Sequence, residues 1–543
     1  MALLAAPQLL VIFGCLSVVY ALAVYRRYRK LLESIDDFPG VRTLLSPASK
    51  ISPFLPPIPG INLGRDFRWD NKYKTFQEAG WDIYAHVSAW PDKRVGYSLA
   101  DAEAIKEMAL NRAVFPKPQI RLIEIYGPNV VTTEDEEWKR HRKVSAPAFS
   151  ERNNKLVWQE TVRIVNEIFA EWGDKDAVSI PHIVDVTLPI ALLVISAAGF
   201  GRRISWREET DAKPPPGHAL TFKQSITTVC NNLFLKVLLP EWIMGLTSKW
   251  SRVRQGFYEL EAYMGEMIEE RQKNLGQPAD DADHNKSDLF HSLLVASEAE
   301  AASGAPALTP RELMGNIFIF LLAGHETTAH ALAFSFGLLA CYPDEQQKLY
   351  DHITSVVSGG RLPSYEDMHS LTRPLAVMYE ALRLFPPVLG PMKKAAQDTT
   401  LFTYPASQGN TKGASPEQDQ RRPVIIPKGS IVSIHVAGLH YNPRYWENPY
   451  AFKPDRFLGN YNKDAFAPFA IGPRACLGRR FSETEAVAVI TMIVLRYKIE
   501  LNPSLFTIIP GESPDATRER LLKAHQVLTM APANLPLLFR RRA

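Results

Sequence analysis

Residues 323–330 read AGHETTAH, two histidines and a glutamate inside an apolar run. A zinc hydrolase places such histidines four residues apart, on one face of a helix. Here His325 and His330 stand five apart. A step of four turns a helix by about 40° net, whereas a step of five turns it by about 140°. Two ligands on nearly opposite faces do not grip one ion, so zinc hydrolysis is excluded for this stretch. An acid followed by two hydroxyls, Glu326, Thr327 and Thr328, remains to be explained.

A second chemical group stands near the C-terminus, in FAIGPRACLGRRFSETEAVAVITMIVLRYKI (469–499). Cys476 sits just before a strongly helical pattern. The partial positive charge of a helix N-terminus favours thiolate, so a lowered thiol pKa is expected. Gly472 and Gly478 flank it, which allows a tight turn and a close approach of backbone amides to the sulfur. Arg474 is placed to bind an anionic group. A lone cysteine elsewhere is most often an inert buried side chain.

The pattern F-x-x-G-x-R-x-C-x-G is met by Phe469, Gly472, Arg474, Cys476 and Gly478. It resembles the haem-binding loop of the cytochrome P-450 family of haem-thiolate monooxygenases. That resemblance implies haem b (iron protoporphyrin IX), with Cys476 as axial ligand to the iron and Arg474 on a haem propionate. A thiolate ligand pushes electron density onto iron and favours cleavage of the O–O bond.

Other motifs follow in the family's order. EALR (380–383) sets Glu380 and Arg383 one helical turn apart. Alone it reads as a surface ion pair; ahead of KPDRF (453–457) it resembles the family's interlocked glutamate and two arginines, the second here Arg456, with a structural role. In EWKRHRKVSAPAFS (137–150), Trp138 and Arg142 have the W-x-x-x-R spacing, and the resemblance gives them to a propionate. AGHETT matches [AG]-G-x-[DE]-T-[TS] at Ala323, Gly324, Glu326, Thr327 and Thr328, which the resemblance lays across the distal face of the haem. Breaking O–O consumes two protons. Thr327 is then the hydroxyl that holds a water, and Glu326 the acid that relays protons. Gly324 is expected to clear room for oxygen and Ala323 to keep the groove narrow. Thr328 is expected to bond locally along its helix, and His325 and His330 to pack or hydrogen-bond. Two departures stand out: Ser482 where a smaller residue is common, and Lys393 and Lys394 where many relatives place a propionate-binding arginine. Lysine meets an anion as a point charge rather than a fork.

The 543-residue chain is 46% hydrophobic and 22% charged, an ordinary globular composition. Its net charge of +4 is accounted for by Arg26, Arg27, Arg29 and Lys30, which leaves a neutral body and no case for nucleic-acid binding. Residues 3–25 are uncharged and long enough to span a bilayer's ~30 Å core. The basic cluster follows rather than precedes them, so an uncleaved anchor with a cytosolic body is expected, not a cleaved leader. Cys15, Cys230, Cys341 and Cys476 lack paired spacing, as suits a reducing compartment. The expected organisation is a transmembrane anchor with its basic stop (1–30), a proline-rich spacer (31–60) and one catalytic domain (61–543).

That domain is read as mostly α with a minor β region, the cytochrome P-450 fold. Helical periodicity marks 151–172, 250–274, 311–341, 344–357, 374–385 and 478–497; strand patterns mark 83–87, 94–98, 424–426, 431–436 and 527–539. Polar stretches at 208–218, 276–288, 297–310 and 404–423 read as loops.

The residues carry no flavin or iron–sulfur motif. Electrons are therefore expected from NADPH through a separate flavoprotein reductase, with cytochrome b5 as a further donor, at the endoplasmic reticulum membrane. Lys139, Arg140, Lys143, Arg479 and Arg480 offer a basic patch for an acidic flavoprotein, or equally an ordinary solvated face. By the resemblance, Phe115, Ile120, Phe234, Phe320 and Val388 line a pocket for an apolar substrate, a terpenoid, polyketide or fatty-acid-derived secondary metabolite. Two other readings stay open: a haem-thiolate isomerase or dehydratase that uses no oxygen, and a membrane-tethered haem-binding protein without turnover. Cys476→Ala is expected to abolish the thiolate signature in the reduced, carbon-monoxide-bound spectrum; a normal spectrum from that variant removes Cys476 as the ligand.

Overall fold

The computed structural model describes residues 6–47, 49, 51–91, 94–119, 122–206, 213–274, 288–302, 304, 307–406 and 420–542. Most of the 276–288 and 404–423 loops, part of the 208–218 loop, and Ile120 lie outside the described residues. Where the sequence suggests one domain over 61–543, contacts gather into two compact units. One holds Met1–Pro118, Val388–Ala451 and Asn462–Ala475; the other holds Gln119–Pro387, Phe452–Tyr461 and Cys476–Ala543.

The first unit begins with the helix Ala6–Glu33, which ends three residues beyond the expected anchor. Its Val11–Glu33 stretch is apolar and unburied, so its length and composition suit a membrane span. The spacer differs from expectation. Gly40–Leu45 is a strand that pairs in parallel with Ile83–Trp90. GVRTLL contains no proline and is rich in strand formers, so its backbone groups find ladder partners despite the prolines that follow. The sheet continues through Gly96–Leu99, Ile431–Ile434 and Met392–Lys394.

The second unit is mostly helical. Its core is the 32-residue helix Pro310–Cys341. A capping box starts it: the Thr309 hydroxyl accepts from the Glu312 N–H, and the Glu312 carboxylate accepts from the Thr309 N–H. The helix packs along Val184–Val194 and on Thr372–Leu384. Nearly all-round apolarity explains why it is buried rather than amphipathic. The helices Glu151–Trp172, Ser248–Asn274, Pro343–Val356, Thr372–Leu384 and Arg479–Arg496 fall within two residues of their expected bounds. Tyr497–Leu501 leaves the last of these as a strand beside Leu537–Arg541, which also pairs with Ala177–Ile180. One expected loop is a helix instead: Leu289–Ala302 takes in the alanine- and glutamate-rich residues at the start of 297–310, strong helix formers whatever their polarity.

Glu380 and Arg383, expected as a braced pair, are both fully buried. Arg383 donates to both Glu380 oxygens, from Nε at 2.7 Å and from an amino group at 2.9 Å. Arg456 Nε and the Lys453 backbone N–H reach the same carboxylate at 3.2 and 2.9 Å. Removing one member of a buried ion group strands the others without water, a cost of about 3–5 kcal/mol. Glu380→Ala is expected to lower the melting temperature sharply and to reduce the folded yield; a variant that melts like the parent removes the bracing role.

Candidate active site

The helix Pro310–Cys341 is buried along its centre except at one place. Ala323 is exposed, and Gly324, Glu326 and Thr327 are half-buried, amid buried neighbours on either side. Positions i, i+3 and i+4 share a face, so these residues form a notch in an otherwise covered helix. The Thr327 hydroxyl donates to the Ala323 carbonyl at 2.8 Å, which leaves its oxygen lone pairs on the accessible side. Thr328 is buried and donates to Ser482 Oγ at 3.0 Å, on the helix Arg479–Arg496 that follows Cys476. The expectation that Thr328 bonds locally is therefore corrected: Thr327 makes the local bond, and Thr328 ties two helices together. Ser482, a departure in the sequence pattern, is the partner it needs.

Gly324 also acts differently from expectation. A Cβ there would lie 3.1 Å from Ile195 Cγ1 and Cδ1. Its missing side chain makes room for the neighbouring element, the π-turn Ile195–Gly199, rather than for a ligand.

Cys476 keeps accessible surface, while packed groups around it desolvate the sulfur. Burial raises the thiol pKa, against the Gly478 N–H and the nearby Arg142 and Arg479, which lower it. The expected depression is thus reversed for the bare thiol, because desolvation outweighs the helix terminus. Ligation to a cation deprotonates a thiol outright. Trp138, which is buried, and Arg142, which is half-buried, lie one turn apart on Asp135–Ser145, and Arg142 is close enough to Cys476 for each to stabilise the charged form of the other. Phe469, Gly472 and Arg474 belong to the first unit, where the turn at Gly472 rests on the end of Ala102–Leu110. Gly472 has φ +77°, which requires glycine; Gly478 has φ −83°, which does not.

These residues fit a haem. Among the described residues, no trio of histidine, cysteine or acidic donors includes Cys476. A metal held there takes one ligand from the chain and the rest from a non-protein group, as a porphyrin supplies. Arg142, a cation near the cysteine, suits one of its propionates.

Burial pushes the Glu326 carboxyl up to about 7, against the Thr529 hydroxyl that donates to it at 3.4 Å. His330 Nδ1 lies 2.9 Å from Thr529 Oγ1. His325 turns the other way: Nδ1 donates to the Leu321 carbonyl at 2.8 Å, and Nε2 faces Cys230 Sγ at 3.9 Å. Both histidines are held down to about 4 by burial, so they are neutral near pH 7. The sequence gives no sign of Thr529 or Cys230, which reach the helix from distant segments. Lys393 is buried and Lys394 exposed on one strand of the first unit. Phe115 is buried there, while Val388 is exposed. In the second unit Phe234 is exposed, and Phe320 packs edge-on against Phe149.

The expected basic patch is weakened by partners in the chain. Arg140 is paired with Glu312, Lys143 with Glu300 at 2.7 Å, and Lys139 with Glu136 at 2.5 Å. Arg479 is paired with Glu483 at 2.7 Å, and Arg480 stands 3.7 Å from the same residue. Burial raises the Glu312 pKa, but Arg140 and the Thr309 donors more than offset it and hold the carboxyl down to about 2.

The cytochrome P450 family model matches residues 53–411 and 417–512. Cytochrome P450 monooxygenase 124 of Postia placenta is 47% identical, over 98% of this chain and 100% of its own length. Cytochrome P450 monooxygenase ORF6 of Penicillium roqueforti and cytochrome P450 monooxygenase prx9 of Penicillium rubens are each 32% identical, over 81% of this chain and 79% of their own.

The folded Glu326 carboxyl keeps its proton to about 7, whereas the unfolded one loses it near 4.5. The folded state binds more protons between those values, so this group's contribution to stability falls as pH rises through the window. Glu326→Gln lacks that dependence. In urea unfolding the variant is expected to gain on the parent between about pH 5 and about pH 8; parallel curves overturn the assignment.

Proposed function

This chain belongs to the cytochrome P450 family, the haem-dependent oxidoreductases that incorporate oxygen from O2, and from that premise we propose that it inserts one oxygen atom into a lipophilic small molecule, by hydroxylation or epoxidation, in secondary metabolism. The observation that carries the reading is the notch at Ala323, Gly324, Glu326 and Thr327: an acid and a hydroxyl accessible midway along a buried helix, with Thr328 beside them tied to the helix of Cys476. A haem-thiolate isomerase or dehydratase that uses no oxygen does not require an acid and a hydroxyl to relay protons to oxygen, and a haem-binding scaffold without turnover does not either.

Bound haem supplies the one-electron and O2 chemistry, with Cys476 as its thiolate ligand. By the family resemblance, Trp138, Arg142 and Arg474 would each hold a propionate, and the Phe469, Gly472 and Gly478 loop would shape the cysteine turn. Thr327 holds a water through its oxygen lone pairs while its O–H donates to the Ala323 carbonyl. Glu326, poised to gain or lose a proton near neutral pH, passes protons to that water. Apolar side chains around the notch keep bulk water out; Phe320 is one of them.

Electrons come from NADPH through a separate flavoprotein reductase, with cytochrome b5 as a second donor. The reading places the chain in the endoplasmic reticulum membrane with its body in the cytosol. The unburied apolar helix near the N-terminus supports attachment, as do Trp242 and Leu246 of the second unit, 69% and 68% exposed. The substrate is a terpenoid, a polyketide or a fatty-acid-derived molecule.

The test is a comparison of products. The full chain, in membranes with a microsomal reductase, is given a lipid-soluble extract beside Cys476→Ala. Products heavier by one oxygen, absent from the variant, support the reading and identify the substrate; none with any reductase or extract turns the case toward the isomerase or scaffold. With a substrate in hand, Thr327→Ala is expected to keep consuming NADPH while product falls about tenfold or more and hydrogen peroxide rises. Unchanged coupling removes Thr327 from proton delivery.

A further inference from the structure

Glu326 is half-buried, and a buried acid that gives up a proton needs another behind it. The Thr529 hydroxyl, in the segment between the strands Ala524–Gln526 and Met530–Pro532, lies 3.4 Å from Glu326 Oε2. The Thr529 hydroxyl has one hydrogen, and it donates that hydrogen to Glu326 Oε2. It therefore accepts from His330 Nδ1, which fixes the ring as the Nδ1–H tautomer. Three residues from two segments make a directed file: His330 Nδ1–H to Thr529 Oγ1, and Thr529 O–H to Glu326 Oε2. His330 lies one turn from Glu326 on the same helix, so a fixed backbone spans the file.

The outer end of the file lies within electrostatic reach of other histidines. The titratable groups that influence His330 are His325, His182 and His525. His325 is buried and engaged with Leu321 and Cys230. His182 and His525 are both partly accessible. The Leu535 N–H occupies His182 Nδ1, and Asp185 stands close by. Around Glu326 the corresponding neighbours are Thr529 and Cys230.

We propose that His330 and Thr529 are the proton feed of Glu326, carrying protons from the accessible face that bears His182 and His525 to the acid in the notch. The inference rests on the proposed function, which gives Glu326 protons to deliver. When Glu326 has released a proton inward, its carboxylate takes the Thr529 hydroxyl proton. The Thr529 oxygen takes the Nδ1 proton of His330, and Nε2 takes one from solvent. One proton enters the ring and one arrives at Glu326, so charge and atoms balance. The starting tautomer returns by exchange at the ring. Burial keeps His330 neutral near pH 7, so it transmits through its two nitrogens rather than storing a charge. Thr529 and His330 are thus positioning and relay residues, while Glu326 faces the chemistry.

A merely structural hydrogen bond asks for a donor and an acceptor. A relay asks for a hydroxyl at 529 and two exchangeable nitrogens at 330. The test uses the haem-loaded full chain and four variants: Thr529→Val, Thr529→Ser, His330→Gln and Glu326→Gln. In turnover, Thr529→Val and His330→Gln are expected to raise peroxide formed per NADPH several-fold and to enlarge the solvent deuterium isotope effect on product. The reduced, carbon-monoxide-bound spectrum is expected to stay normal. Thr529→Ser is expected to behave as the parent. Without turnover, the infrared carbonyl band of protonated Glu326, assigned by its loss in Glu326→Gln, is expected to shift in Thr529→Val and not in Thr529→Ser. Parent-like coupling in both Thr529→Val and His330→Gln overturns the relay, and so does an unmoved infrared band. If no variant and no parent makes product, the proposed function fails, while the infrared arm still decides whether Thr529 holds the acid. Should Thr529→Val not fold, His330→Gln against the parent carries the same decision.

Discussion

Glu380 carries a carboxylate where no solvent reaches it, and much of the second unit is arranged around that fact. A buried charge is tolerated only when paired and fully hydrogen-bonded. Arg383 supplies a two-pronged match from the same helix, and Arg456 and the Lys453 N–H bring in the short segment Phe452–Tyr461. That segment is separated from the glutamate by more than seventy residues of sequence, yet the charge fixes where it must lie. The helix so fixed packs in turn on Pro310–Cys341 and Arg479–Arg496, the two helices that hold the chemical groups. Hydrophobic burial drives these helices together without choosing a register; the ion group admits few alternatives.

The long helix shows how one element serves two demands. Beyond its first turn, where Arg311 is charged and exposed, it is mostly apolar and covered. Its centre opens at four residues, and polar groups in and beside the opening are tied down: Thr327 to its own backbone, Thr328 to Ser482, His325 to Leu321, and His330 to Thr529. A helix interior with so many satisfied polar groups loses little by being accessible there. The apolar residues on either side keep the surrounding dielectric low, which is what moves Glu326 toward neutrality.

Much of this was legible in the sequence, and the limits have physical causes. Long apolar periodicity located the major helices because burial and the helical repeat leave the same mark. The cysteine loop and the Glu380, Arg383 and Arg456 set were readable because their residue types and spacing are specific. What escaped depends on partners far along the chain. Whether Thr327 or Thr328 bonds locally was decided by Ser482, and the reason for Gly324 was decided by Ile195. Part of the basic patch reads as open because Glu312 and Glu300, which pair with Arg140 and Lys143, lie more than 150 residues away. Residues 40–45 looked like spacer because prolines dominate the segment as a whole, while the strand formers among them dominate locally.

Ile195 deserves a last word for what it implies about the notch. It opens a π-turn, and its side chain is gripped between two glycines: Gly324 on the long helix, and Gly199, where an added Cβ would come within 2.9 Å of its Cδ1. A ball held between two bare sockets lets neighbouring helices settle at a distance set by one side chain. Enlarging or trimming this residue changes the spacing between the π-turn and the long helix while replacing no group in the notch. The depth of the notch is thus set from behind the helix, by a side chain that is neither its acid nor its hydroxyl.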